Sequence, residues 1–173
     1  MKAMIIVPIL GTIMLLVVWA QKPDGRLRVW VLDVGQGNAV LVRTPQGHTA
    51  VIDGGLEATA LNEGIGRNVP FWQNDVDLVV VTSPKAENIT GLVGMMGRRT
   101  VKEVVQTDLE VATSVQGAWR EVVAQARTQV HFARRGDVIR FEGEPEVVLR
   151  VLYPTGENGA EDGPVAMRIE YDG

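Results

Sequence analysis

The chain of 173 residues has the length of one domain with a short appendage, and its 46% hydrophobic and 22% charged residues exclude wholesale disorder. It has no cysteine, which excludes disulfides, thiolate zinc sites, iron–sulfur clusters and cysteine nucleophiles; its two histidines leave little for a histidine-rich metal centre. A formal charge of −4 speaks against nucleic-acid binding by bulk electrostatics, which needs clustered Lys and Arg, and the small basic groups Arg98–Arg99–Lys102 and Arg134–Arg135 read as solvated surface.

Residues Ala3 to Ala20 carry no charge. As a helix this run would rise about 27 Å, close to the thickness of a bilayer's hydrocarbon core, so it is expected to anchor the chain in a membrane. A signal peptide cleaved before Gln21 is the competing reading, and a buried core helix is a third. Both the anchor and the signal peptide place the remainder on the outer side of a bacterial cell membrane. Lys2 and Lys22 flank the two ends, so the positive-inside rule does not fix the orientation.

Gln21 to Gly25 reads as a linker. Arg26 to Val34 alternates and is rich in Val, Leu and Trp, the pattern of a strand. Gly35-Gln36-Gly37-Asn38 is a tight turn in which both glycines can take positive φ. Ala39 to Arg43 and Thr49 to Ile52 are two more strands around the Pro45-Gln46-Gly47 turn, giving an antiparallel meander that ends at Asp53-Gly54-Gly55.

The pattern then changes. Leu56 to Gln73 is irregular, with helix expected between Ala60 and Asn68. Leu78 to Val81 is a continuous apolar run, the mark of a strand buried on both faces. Ser83 to Asn88 reads as a polar loop and Ile89 to Met96 as the start of a helix. Val101 to Val105 is a short strand, and Val115, Trp119, Val122, Val123 and Ala126 fall at helical spacing. Gln129–Phe132, Val138–Phe141, Val147–Tyr153 and Ala166–Tyr171 are further strands. A meander followed by strand–helix alternation predicts an α/β fold with a mixed sheet and helices on one face.

Three segments in order carry a resemblance. Leu32-Asp33-Val34-Gly35-Gln36-Gly37-Asn38-Ala39, then Val51-Ile52-Asp53-Gly54-Gly55, then Leu78 to Gly91 resemble the opening motifs of the metallo-β-lactamase-like domain of competence DNA-uptake channel proteins of the ComEC/Rec2 type. The apolar segment upstream fits as well, since in that family the domain follows a last transmembrane helix. The resemblance covers about Leu27 to Gly173. It implies the N-terminal half of an αββα sandwich preceded by one membrane helix. It also implies a zinc or manganese pair held by T-H-x-D-x-D-H-x-x-G, and chemistry on phosphodiesters.

The departures from that motif are chemical. His is replaced by Ser83, the first Asp by Lys85, the second by Glu87 and the last His by Asn88; Asn38 replaces an Asp in the first motif. Lys85 brings a positive charge where a dication would sit, and Ser83 and Asn88 offer neutral oxygens in place of imidazole. Asp53 matches the family, and serves equally as a turn former before Gly54-Gly55. Lys85 and Glu87 read equally as solvated loop charges, and Ser83 and Asn88 as N-caps of the following helix. His48 is expected at an exposed turn and His131 in a structural role.

The expectation is therefore a non-catalytic, membrane-tethered relic of a DNA-uptake domain, with no metal, acting as a binding or assembly module. A metal-dependent hydrolase with altered ligands Asp53 and Glu87, and an exported ligand-binding domain, are the alternatives. Because the resemblance reaches only the family's first half, one sheet face is expected to lack its covering sheet, with Val29, Val31, Val40, Val42 and Val51 upon it. Self-association, or a partner carrying the second half, is then expected. If residues 3–20 span a membrane, the full chain pellets with membranes and resists carbonate extraction; recovery of a soluble mature chain beginning at Gln21 would establish the signal peptide instead.

Overall fold

The computed structural model describes residues 11–18, 21–108, 112–153 and 163–172. Residues 11–18 form an exposed helix, α1; the rest of the apolar N-terminal run lies outside the described residues. Among the described residues no helix is long and apolar enough to cross a membrane.

The expected meander forms at the start of the domain. Strands β1 (Arg28–Val31), β2 (Val40–Arg43) and β3 (Thr49–Ile52) pair antiparallel. The β2–β3 turn closes through Thr44 N–H to the His48 carbonyl at 2.9 Å, and this sets Val42 opposite Ala50 and Leu41 opposite Val51. Three crossovers follow. Helix α2 (Ala58–Asn68) leads to β4 (Asp75–Val81), α3 (Ala86–Met96) to β5 (Thr100–Gln106), and α4 (Ser114–Ala126) to β6 (Gln129–Phe132). These strands run parallel from β3, so the first sheet has the order β1-β2-β3-β4-β5-β6.

The helices cover one face of this sheet. Leu61 and Ile65 of α2, Ile89, Leu92 and Met95 of α3, and Trp119 and Val123 of α4 are buried against Leu41, Val51, Val79 and Val104. Helix α4 begins with Thr113, whose hydroxyl accepts from Gln116 N–H at 3.3 Å, and ends at Arg127 in the left-handed region. The Trp119 indole N–H donates to Gln106 Oε1 at 2.8 Å, fixing α4 to β5 with its one polar ring atom satisfied. Leu78 to Val81 alternate between the two faces and are all 0–2% exposed, as a strand covered on both sides must be.

Three expectations are corrected. The last strands do not extend the first sheet. β7 (Val138–Phe141), β8 (Val147–Tyr153) and β9 (Ala166–Tyr171) form a separate antiparallel sheet in the order β7-β8-β9. That second sheet covers most of the face expected to be bare: Phe141, Val147, Leu149 and Val151 bury Val42, Ala50, Leu78, Val80 and Val105. Val51 is not on that face at all. The hairpin register puts it opposite Leu41, so it packs under the helices. Only Val29 and Val31, at 50% and 83% exposed, remain uncovered. The third correction concerns helix starts. α2 begins at Ala58, and α3 begins at Ala86, inside the segment expected to be a polar loop.

The basic group at Arg98–Lys102 is partly engaged. Lys102 Nζ lies 2.6 Å from Asp77 and 3.1 Å from Asp75, and Arg99 donates to the Gln73 carbonyl. His48 is half-buried rather than exposed, with Nδ1 3.5 Å from the Asp77 carboxylate and its ring against Phe141. His131 lies 3.8 Å from Glu103 on the exposed strand β6.

Because Leu149 is fully buried between the sheets, Leu149→Ala should lower unfolding free energy by about 2–5 kcal/mol, whereas Leu152→Ala, at a position 43% exposed, should change it by about 0.5 kcal/mol or less. Equal effects in denaturant titrations would show that the second sheet does not seal the core.

Candidate functional site

The three motif segments converge beyond the C-terminal ends of β1, β3 and β4, where open α/β sheets commonly present their ligand sites. Backbone bonds hold them there. Gly54 N–H donates to the Asn88 carbonyl at 2.8 Å, Gly55 N–H to Asn38 at 3.1 Å, Leu56 N–H to Gln36 at 3.1 Å and Gly91 N–H to Gly55 at 2.9 Å. The Gly35-Gln36-Gly37-Asn38 turn has the expected positive φ at both glycines, 70° and 95°. Gly37 is required for a further reason. A Cβ there would collide with the Glu87 carbonyl oxygen, so the turn rests directly on the start of α3.

Asp53 is the centre of the arrangement. It is 5% exposed and sits in the left-handed region at φ 57°, a conformation Asp tolerates because its short side chain can bond locally. One carboxylate oxygen accepts from Thr82 N–H at 2.9 Å and the other from Thr82 Oγ1 at 2.6 Å. The Asn88 amide in turn donates to Thr82 Oγ1 at 3.1 Å. Burial pushes the Asp53 carboxyl above its ordinary value, against the hydrogen bonds from Thr82 and Asn88 that pull it down. Asp53 is thus structural in its contacts: it ties the end of β3 to the end of β4. Thr82 was not singled out in the sequence. Its position directly after an apolar strand and next to the altered motif was the available signal.

The altered motif positions are placed together but do different things. Lys85 is the N-cap of α3, without a side-chain capping bond, so neither Ser83 nor Asn88 caps the helix as the sequence suggested. Asn88 is buried inside the first turn, where its amide is spent on Thr82. Lys85 and Glu87 point outward, 70% and 45% exposed, with Nζ and Oε1 3.9 Å apart. Glu87 also lies in the first turn of α3, where a negative charge is favoured by the helix dipole.

This donor set does not fit the zinc or manganese pair that the resemblance implies. An ammonium group occupies one ligand position, a neutral hydroxyl and a neutral amide stand where imidazoles are needed, and the Asp53 carboxylate is buried and bonded to Thr82. Among the described residues no three His, Cys, Asp or Glu side chains lie close enough to hold a metal ion.

A cleft of about 450 Å³ lies beside these loops, between α4 and the β5–β6 edge. Pro84 and Ile89 form its near wall, with Trp119, Val123, Val130 and Phe132 beyond them. The sequence signal for it was the apolar pair Val130 and Phe132 on the last strand of the first sheet, which has no helix fully over it.

No family model matches the chain, and no curated protein matches it. Solved structures do. A metallo-β-lactamase from Cronobacter sakazakii with a HARLDQ motif aligns with TM-score 0.56 and 18% identity, covering 89% of this chain and 61% of that one. Rm3 metallo-β-lactamase aligns with TM-score 0.55 and 19% identity over 87% of this chain and 58% of that one. Metallo-β-lactamase SMB-1, solved with 2-mercaptoethanesulfonate, gives 0.54 and 16% over 84% and 56%. The fold is that of the metallo-β-lactamases. The chain spans less than two thirds of the length of these enzymes.

A buried carboxyl whose pKa is raised by folding supports stability fully below its unfolded pKa, and that support is lost as pH rises through the folded value. Asp53→Asn, which keeps an acceptor for Thr82 N–H and tolerates positive φ, should therefore be at least as stable as the parent at pH 7. Its advantage should shrink as pH is lowered toward 4. Asp53→Ala, which loses both acceptors, should be destabilised by about 1–3 kcal/mol. An Asp53→Asn variant that is weaker at pH 7 and recovers on acidification would contradict this.

Proposed function

We propose that this chain is a non-catalytic member of the metallo-β-lactamase fold that acts as a binding or assembly module. The observation that carries this is the donor set at the ends of β3 and β4. Lys85 stands exposed beside Glu87, Ser83 and Asn88 are neutral where imidazoles are needed, and the Asp53 carboxylate is tied to Thr82. A hydrolytic metal needs open coordination and anionic or imidazole ligands to make its water acidic. These positions supply no imidazole and only two carboxylates, Asp53, which is buried and bonded to Thr82, and Glu87, which lies beside the Lys85 ammonium. The motif resemblance at Leu32–Ala39 and Val51–Gly55 further supports descent from the DNA-uptake domains, and the uncharged run Ala3–Ala20 supports tethering to the cell membrane with the domain outside.

A second reading, a ligand-binding domain, draws on the cleft between α4 and β6, where apolar Trp119, Val123 and Phe132 stand with polar Asp108, Gln116 and Arg127. The two readings share the absence of metal chemistry and differ in what is recognised.

The experiment is metal analysis of the purified chain. After dialysis it should hold well under about one zinc or manganese per chain, and added metal should leave its unfolding temperature unchanged, since a ligand that does not bind the native state cannot stabilise it. Restoring Ser83→His, Lys85→Asp, Glu87→Asp and Asn88→His together should create measurable zinc binding. Stoichiometric metal in the unaltered chain, lost on Glu87→Ala, would overturn the non-catalytic reading and favour a hydrolase with altered ligands.

A further inference from the structure

Among the described residues one edge of strand β9 is unpaired, and part of β1 stands uncovered. Val29 and Val31 stand opposite Val42 and Val40, so they point to the face that the second sheet covers, yet both are exposed. β7 shares a groove with β5 and β6, formed by Glu103, Val105 and His131 against Ile139 and Arg140. β9 is on the far side of β8 from that groove, and Val165 N–H, just before it, donates to the Thr82 carbonyl at the end of β4 at 2.7 Å. Its inward residues Met167, Ile169 and Tyr171 are only partly buried and pack against the same core cluster as Leu27, Val40 and Ile52. Among the described residues β9 pairs with β8 alone. It has no Pro, no Lys and no inward-pointing charge; its two charges, Arg168 and Glu170, stand on the outer side.

We propose that this edge pairs with β9 of a second copy of the chain, antiparallel about a two-fold axis through Ile169. The strand is complementary to itself in this register. Ile169 faces Ile169 of the second copy and Met167 faces Tyr171 on the inner side, while Arg168 faces Glu170 twice on the outer side. Shifting the register by two residues along the strand puts Arg168 against Arg168 or Glu170 against Glu170. Shifting by one sets apolar residues against charged ones. Within one copy, Arg150 and Arg168 stand directly opposite each other and both bond Glu170, so two guanidinium groups share one carboxylate. The second copy's Glu170 is shared with its own Arg150 and Arg168 in the same way, so the dimer keeps two guanidinium groups per carboxylate and gains only the opposition of unlike charges across the seam. Strands lie about 4.8 Å apart, so the added strand continues the second sheet over β1 and covers Val29 and Val31. The dimer does not depend on whether the neighbouring loops bind metal.

Since the chain has no cysteine, single cysteines report the contact directly in the full chain, purified in detergent. Directly opposed antiparallel residues have Cα atoms roughly 4.5–5.5 Å apart, within disulfide range. Ile169→Cys should convert most of the protein to a covalent dimer on mild oxidation, and Gly117→Cys, on the exposed side of α4, should not. Differently tagged Met167→Cys and Tyr171→Cys chains should link to each other in preference to themselves. Val31→Lys, at a site already exposed, should weaken the dimer in sedimentation equilibrium by about tenfold or more while leaving thermal unfolding unchanged when both proteins are diluted to monomer. A monomer at tens of micromolar, equal cross-linking at positions 117 and 169, or an unaltered dimer in Val31→Lys would each overturn the proposal. So would completion of the β9 edge by a different chain.

Discussion

The close backbone contact between the Asp53-Gly54-Gly55 loop and the first turns of α3 governs the rest of the structure. Gly54 N–H reaches the Asn88 carbonyl and Gly91 N–H reaches the Gly55 carbonyl. Neither bond forms unless the loop and helix approach without side chains between them. A Cβ on Gly91 would collide with the Gly54 carbonyl, and one on Gly54 would come within 2.7 Å of the Leu92 backbone. This contact fixes where α3 starts and which way it runs. Because α3 lies between α2 and α4, it also places the whole helical layer over the sheet. Asp53 reinforces the same junction from the side, by bonding Thr82 at the end of the neighbouring strand.

Much of the first sheet was legible because its signals are local. Alternation in Arg26–Val34, the Pro45-Gln46-Gly47 turn and the doubly buried run Leu78–Val81 each specify their own segment, and each appears at its expected place. The α4 stripe was equally plain, with Trp119 and Val123 buried at helical spacing. What was not legible depends on contacts far apart in sequence. Nothing in Val138–Tyr171 distinguishes strands that extend a sheet from strands that stack on one; both are short, apolar and alternating. The face of Val51 is another such case. One residue of hairpin register decides whether it lies under helices or under the second sheet.

The site shows the same division. That the three glycine-bearing motifs meet could be expected from their resemblance to one family, and they do meet. The functions of the side chains within the motifs could not. Lys85 became the N-cap and Asn88 turned inward because α3 starts three residues earlier than its apolar periodicity suggested. Thr82 became the hub of the hydrogen bonds because it follows β4 directly and faces the end of β3.

The burden of support at this junction is unevenly shared, and that bears on how the sequence can drift. Asp53, Thr82, Asn88 and the glycines at 37, 54 and 91 are bound to one another through backbone or buried contacts. Ser83, Lys85 and Glu87 sit among them without a side-chain hydrogen bond, at positions open to solvent to varying degrees. Among natural variants, the first set should resist replacement, since each change disturbs the backbone junction or a buried bond. The second set should vary freely in size and charge. The fold can therefore outlive whatever chemistry its loops once carried, because the residues that keep it folded are not those that would hold a reactive group.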